Sequence, residues 1–231
     1  SVDPPVEPEP PAPCDKWASV SGNNVNAGTQ AAPYRNVPYL IAHLTAGQTG
    51  CLVSGQRFEE PSGTFVVGQS AGTEANPITI RSSDPSDPAE LQAQILLNEN
   101  ADDITFRSID FVGSPSTDKS VMFNVGGADG IQFVDNDITF RRGICLQLGV
   151  TSNRSERVLL EGNRVHHCGV DVTLTGADSG VHGIYILNSF GAVSRNNWIY
   201  DNMNRGIQHY PNGDGTHILN NVLDNNGSNL N

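Results

Sequence analysis

The chain has 231 residues, only 16% of them charged, with 24 glycines and a formal net charge of −12. That acidity argues against nucleic acid and anionic membrane surfaces. It leaves acidic polysaccharides open, because bound Ca2+ or a local basic strip reverses the sign where it matters. Low charge with abundant glycine and asparagine excludes a helix-rich protein and points to an all-β chain of short β-branched runs between left-handed turns.

Residues 1–13, within SVDPPVEPEPPAPC, form a Pro/Glu-rich linker or tether of polyproline II character, read as an N-terminus left by processing. No apolar run approaches the roughly 20 residues of a membrane span, so no membrane insertion is expected. Cys14, Cys51, Cys145 and Cys168 form no CxxC pair. Their even number and wide spacing suit an oxidising compartment, hence a secreted or cell-surface protein, extracellular or periplasmic. Cys14 and Cys51 are expected to bridge. Cys145 and Cys168 fit equally a second bridge or two buried thiols.

Residues 14–60 read as an N-terminal cap with the first coil. Pro38-Tyr39-Leu40-Ile41-Ala42-His43-Leu44 suits a short helix started by Pro38 and stopped by Gly47. It is the candidate cap for an open solenoid end, with His43 as a packing residue. The run CLVSG from Cys51 reads as the first strand.

Residues 61–231 read as stacked coils, and from Ile78 the sequence repeats. ITFRSIDF (104–111), IQFVDNDITF (131–140), VLLEGNRVHH (158–167), AVSRNNWIYDN (192–202) and HILNNVLDNN (217–226) align. They give an apolar column Ile109, Ile138, Val165, Ile199, Val222. Arg107, Asn136, Asn163, Asn197 and Asn220 stand two residues before it, at spacings of 29, 27, 34 and 23, the length of a solenoid coil. A second strand family, KSVMFNV, RGICLQL, HGIYILN and RGIQHYPN, predicts inward columns Val121, Ile144, Ile184, Ile207 and Phe123, Leu146, Ile186, His209. Two strands per coil in constant order, with asparagines at one turn position, imply parallel stacking with an asparagine ladder.

The opening DKWASVSGNNVNAGTQAAPYRNVPYLIAHLTAGQTGCLVSG and the repeat SRNNWIYDN…RGIQHYPNG resemble the secreted right-handed parallel β-helix proteins of the pectate lyase superfamily. The resemblance covers nearly all of residues 15–231. It implies an all-β, right-handed parallel β-helix (solenoid) with a short N-terminal capping helix. It does not fix the reaction, since that superfamily includes polysaccharide lyases, glycoside hydrolases, epimerases and proteins without known activity. For a lyase it implies an Asp-bound Ca2+ and a Lys or Arg base, on the outer face of one strand family beside long turn insertions.

On that reading Lys119, Arg142, His182 and Arg205 are the catalytic candidates. Each precedes a second-family strand, followed by Ser or Gly and then Val or Ile; stacked at about 4.8 Å they would form a basic column. The same four would equally serve as solvated turn residues. The insertion GVDVTLTGADSGV (169–181) lengthens one coil and is expected to wall a site. Its Asp171 and Asp178, with Asp201, are candidate Ca2+ ligands. Tyr185, Gln208 and Tyr210 would face outward as substrate-binding residues. His166 and His167, being adjacent, are expected on opposite faces, and inward His209 is read as a satisfied core histidine. Two lysines in the chain leave Lys119 as the one lysine base candidate in the repeats. Asp110, Asp129, Asp135, Asp137 and Asp201 are too scattered to give the facing carboxylates of a hydrolase. The expected function is β-elimination on a uronic acid-containing polysaccharide, with a non-catalytic polysaccharide-binding or adhesive module as the alternative and a viral or phage fibre segment as a third reading. The last coil ends at LDNNGSNLN without a cap, so further coils or a covering partner are expected.

Overall fold

In the computed structural model the described residues are 12–114, 121–172 and 180–227. The chain winds as a parallel solenoid with three strands per coil, not two. Each repeat read above as one strand is a pair of three- or four-residue strands bent apart at the asparagine turn. Face A stacks Lys16–Ala18, Thr49–Leu52, Ile78–Ser82, Ile104–Arg107, Gln132–Val134, Leu159–Glu161, Val193–Arg195 and His217–Leu219. Face B stacks Asp110–Val112, Asp137–Thr139, Arg164–His166, Trp198–Tyr200 and Val222–Asp224, and face C stacks Val121–Gly126, Ile144–Leu148, Ile184–Phe190 and Ile207–Asn212. The long strands Arg57–Val67 and Glu90–Asn98 turn the corner and belong to both B and C. The first strand therefore comes well before Cys51.

The core is the axial column of one inward residue per short strand. On face B it runs Phe58, Leu91, Phe111, Ile138, Val165, Ile199, with flanking residues directed outward. Phe106, Phe111, Phe123 and Phe133 fill the centre, with Phe106 and Phe133 stacked at 5.5 Å. The capping helix spans Val37–Ala42 and buries Val37, Leu40 and Ile41 against the open end. His43 is exposed and stacks on Tyr39 at 4.0 Å.

The asparagine turn is real but its register differs at both ends. The ladder is Asn136, Asn163, Asn197, Asn221, and Ile109 holds the first rung. The amide of Ile109 donates to Asn136 Oδ1, Asn136 to Asn163, Asn163 to Asn197 and Asn197 to Asn221, at 3.0, 3.0, 2.9 and 3.0 Å. Each rung is preceded by a residue at positive φ: Ser108, Asp135, Gly162, Asn196, Asn220. Asn220 is thus the left-handed turn residue, not the ladder rung, and its own amide bonds Asn196. A left-handed residue costs a Cβ-bearing side chain some strain, least for Asn and Asp, so asparagine is favoured at both positions and the sequence alone aligned the wrong one. The apolar column accordingly holds Phe111 in place of Ile109 and Leu223 in place of Val222. A second ladder, unread in the sequence, closes the B-to-C turn: Cys168 N–H to Asn202 Oδ1 at 3.0 Å, and Asn202 Nδ2 to Asn226 Oδ1 at 2.8 Å.

Both disulfides form, Cys14–Cys51 and Cys145–Cys168, each with Cα atoms 5.7 Å apart. They suit an oxidising compartment. No helix among the described residues is long and apolar enough to cross a membrane.

Candidate functional site

At the start of face C the Cys145–Cys168 bridge ties strand Ile144–Leu148 to the turn after face B strand Arg164–His166. The expected basic column does not stack in one line there. Val121 pairs with Ile144, but Leu146, not Ile144, pairs with Ile184, which pairs with Ile207. The insertion shifts the register by two. The rung of Ile144 is occupied by His182, whose carbonyl accepts from Cys145 N–H at 3.3 Å, and Arg205 follows on the next coil. Arg142 therefore lies two residues from the His182–Arg205 line. The inward columns become Phe123, Leu146, Ile184, Ile207 and Val125, Leu148, Ile186, His209. His209, exposed on its terminal coil, binds Gly213 O through Nε2 at 2.6 Å. Lys119 and Asp178 lie outside the described residues.

His182 is the unusual group. It is 4% exposed, and its Nδ1 is buried without a hydrogen-bond partner. Burial and the neighbouring Arg205 charge push its pKa down to about 4, so the ring is a neutral imidazole in ordinary buffers. Tyr185 packs edge-on against it at 5.5 Å. Tyr185 lies between Gln147 and Gln208 in the outward row, so the sheet brings Tyr185 and Gln208 together beside His182 and Arg205. Tyr210 is 63% exposed on the same strand as Gln208.

Asp171 is taken by Arg141, which donates twice, Nε to Oδ2 at 2.8 Å and Nη2 to Oδ1 at 2.6 Å; this pair, with Arg142 nearby, holds the Asp171 carboxyl below its ordinary range. Asp201 sits at positive φ and accepts from Asn225 Nδ2 at 2.5 Å. Among the described residues no three His, Cys, Asp or Glu side chains gather as a metal-binding group. Asp171 and Asp201 thus belong to no such group.

Face B carries a cluster that sequence reasoning missed. Asp110, Asp137, Arg164 and Trp198 are consecutive rungs of one outward column, and Thr139, His166 and Tyr200 of the next. Asp110 and Asp137 are therefore neighbours rather than scattered. Asp137 pairs with Arg164 and accepts from His166 Nε2 at 2.6 Å. Burial alone would raise its carboxyl pKa, but these two partners bring it below the ordinary value. Burial and the Asp137 charge push Asp110 up. His166 and His167 do not point apart. The strand ends at His166, His167 takes a φ of 53°, and its Nδ1 lies 2.7 Å from His166 Nδ1. The signal was present in the sequence as the intervals from Asp110 to Asp137 to Arg164 to Trp198, which equal the true ladder intervals of 27, 27 and 34.

Solved structures similar to this chain include a rhamnogalacturonan lyase (TM-score 0.54, 14% identity, covering 90% of this chain and 62% of that one). Others are pectate lyase Pel9A (0.52, 14%, 92% and 69%) and the GH136 lacto-N-biosidase from Eubacterium ramulus (0.51, 12%, 90% and 55%). The chain spans about 62% of the length of the rhamnogalacturonan lyase. At these identities the likeness is one of fold. No curated protein matches. The model of the right-handed beta helix region matches residues 47–230, and the chain belongs to that family.

Proposed function

We propose that this is a secreted, carbohydrate-active β-helix protein that cleaves a uronic acid-containing polysaccharide by β-elimination at the start of face C. The observation that carries the reading is His182: a buried, neutral imidazole with an unpartnered nitrogen, next to Arg205 and against Tyr185. Buried polar atoms without partners are rare and concentrate at functional sites. The polysaccharide lyases of like fold support the substrate class.

The chemistry follows from the charges. Arg205, with Arg142, neutralises the uronate carboxylate and makes the C5 proton more acidic. His182 takes that proton. The C5–H electron pair forms the C4–C5 double bond, and the C4–O bond breaks with its pair on the leaving oxygen, which Tyr185 protonates. A substrate carboxylate on Arg205 also offsets the positive charge that depresses His182, so the imidazole becomes a stronger base as substrate arrives.

The test is release of unsaturated uronides, followed by the ultraviolet absorbance of the conjugated product, from polygalacturonate, alginate and glycosaminoglycans, each with and without Ca2+. Activity abolished by His182→Gln and by Arg205→Ala supports the assignment. A flat response across all substrates in both conditions overturns it.

A further inference from the structure

Face B is chemically unlike face C. Its two outward columns carry Arg57, Glu90, Asp110, Asp137, Arg164, Trp198 and Val222 in one and Glu59, Gln92, Val112, Thr139, His166, Tyr200 and Asp224 in the other. Both arginines are already matched, Arg57 with Glu90 at 2.8 Å and Arg164 with Asp137. The remaining charge is acidic, so a polyuronate is repelled here.

Within this polar strip stands a stack of rings. Trp198 lies on Tyr200 at 4.2 Å and 28°, and Tyr200 on His166 at 4.8 Å and 17°. Trp198 keeps 44% of its surface exposed. Every member is fixed: the rings by stacking, His166 by Asp137 and by His167, and Asp137 by Arg164. Trp198 has exposed Val222 on the next rung, but two apolar side chains beside a row of carboxylates make too small a patch for a protein interface, whose buried core is apolar. It does match a pyranose, which has one apolar C–H face and a rim of hydroxyls that both donate and accept. The strip is long as well. From the rung of Glu90 to that of Trp198 it spans four strand spacings, roughly 19 Å. At its N-terminal end Arg57, Glu59 and Gln92 line a groove of about 500 Å3 together with Arg35 and Glu60.

We propose that face B is a second glycan site, separate from the basic end of face C, which binds a neutral pyranose chain laid along the solenoid axis with one ring on Trp198. Trp198 supplies the stacking plane. Arg164 and Asp110 bind hydroxyls, and the groove at Glu59 and Gln92 receives the chain further along. Because no acidic group is needed in the ligand, this site is independent of the elimination reaction proposed for face C.

The experiment is calorimetric titration of the full chain with tetrasaccharides of β-1,4-linked glucose, mannose, galactose and xylose, and with oligogalacturonate as the charged counterpart. At least one neutral tetrasaccharide is expected to bind. Its affinity is expected to fall at least about tenfold in Trp198→Ala and less in Trp198→Phe, which keeps a ring, with no change in Arg205→Ala. Circular dichroism confirms that each variant is folded. Absence of binding by every neutral tetrasaccharide, equal affinity in folded Trp198→Ala, or oligogalacturonate binding that depends on Trp198 overturns the proposal. Uronide release is measured alongside. If it is absent while Trp198-dependent binding persists, the face C reading has failed and this one stands.

Discussion

Faces B and C are built from the same coils, a few residues apart in each repeat, yet they have opposite electrostatics. Face C opens on Arg205 beside a buried, uncharged histidine. Face B sets its histidine on a carboxylate, Asp137, that is itself matched by Arg164. The face C imidazole has no partner at Nδ1 and is held neutral by burial, whereas the face B imidazole is engaged at both ring nitrogens, by His167 and by Asp137. A solenoid can therefore run two unlike surfaces from one backbone, because parallel stacking copies a position's geometry from coil to coil while leaving the residue type free.

The sharpest way to break the comparison is to remove the face C chemistry alone. His182→Gln and Arg205→Ala are each expected to lower kcat/KM for uronide release by about 10²- to 10⁴-fold, while leaving sugar affinity at Trp198 unchanged. A parallel loss at both faces would show that they act as one site.

Removing the shared scaffold should damage both. Asn163 is 1% exposed, accepts from Asn136 N–H and Nδ2, and donates to Asn197 Oδ1 and Phe133 O. Asn163→Ala leaves several buried groups unsatisfied and is expected to cost about 3 kcal/mol in urea unfolding. The same change at exposed Asn220 should cost well under half as much, which tests the ladder register directly.

The Cys145–Cys168 bridge joins the end of face B to the start of face C across 23 residues. Replacing both cysteines by alanine is expected to lose roughly 3 kcal/mol. Uronide release should fall more than neutral-sugar affinity, because Cys145 lies beside the rung of His182 and Trp198 is a coil away.

The most gradual expected effect is on pH. His182 has a pKa of about 4 in the fold against 6.5 unfolded. Between those values the unfolded chain binds the proton and the native one does not, so stability is complete above pH 6.5 and declines as pH falls toward 4. The loss across that whole interval is about 3 kcal/mol. His182→Gln should flatten this part of a melting-temperature profile. On face B the depressed Asp137 has the same sign but contributes lower down, its stabilisation being lost as pH falls through its folded value. A profile unchanged by His182→Gln would mean that the ring is not held uncharged by the fold.

How much of this was legible in the sequence depends on the feature. The coil repeat and its asparagine turn were visible because the turn needs a left-handed residue followed by a side chain that bonds the next coil, and few residue types satisfy either. For the same reason the doublets Asn196-Asn197 and Asn220-Asn221 were ambiguous by one position. The face C register was lost at the 169–181 insertion, since Arg142 on the coil before it and His182 directly after it both precede an Ile two residues on, so the sequence aligns them although the sheet sets them two residues apart. His166 and His167 were assigned to opposite faces by strand alternation, which fails once the strand ends and the backbone turns to positive φ.

What the sequence determined by itself was the parallel solenoid, the helical cap and the first disulfide. Those follow from local rules: turn chemistry, strand alternation and coil-length repetition. Only the tertiary structure decided which coil position faces which. It set His182 on the rung of Ile144, brought Asp110, Asp137, Arg164 and Trp198 into one column, and joined Cys145 to Cys168. Register in a stacked sheet is a sum over insertions of unequal length, and a local pattern does not carry that sum.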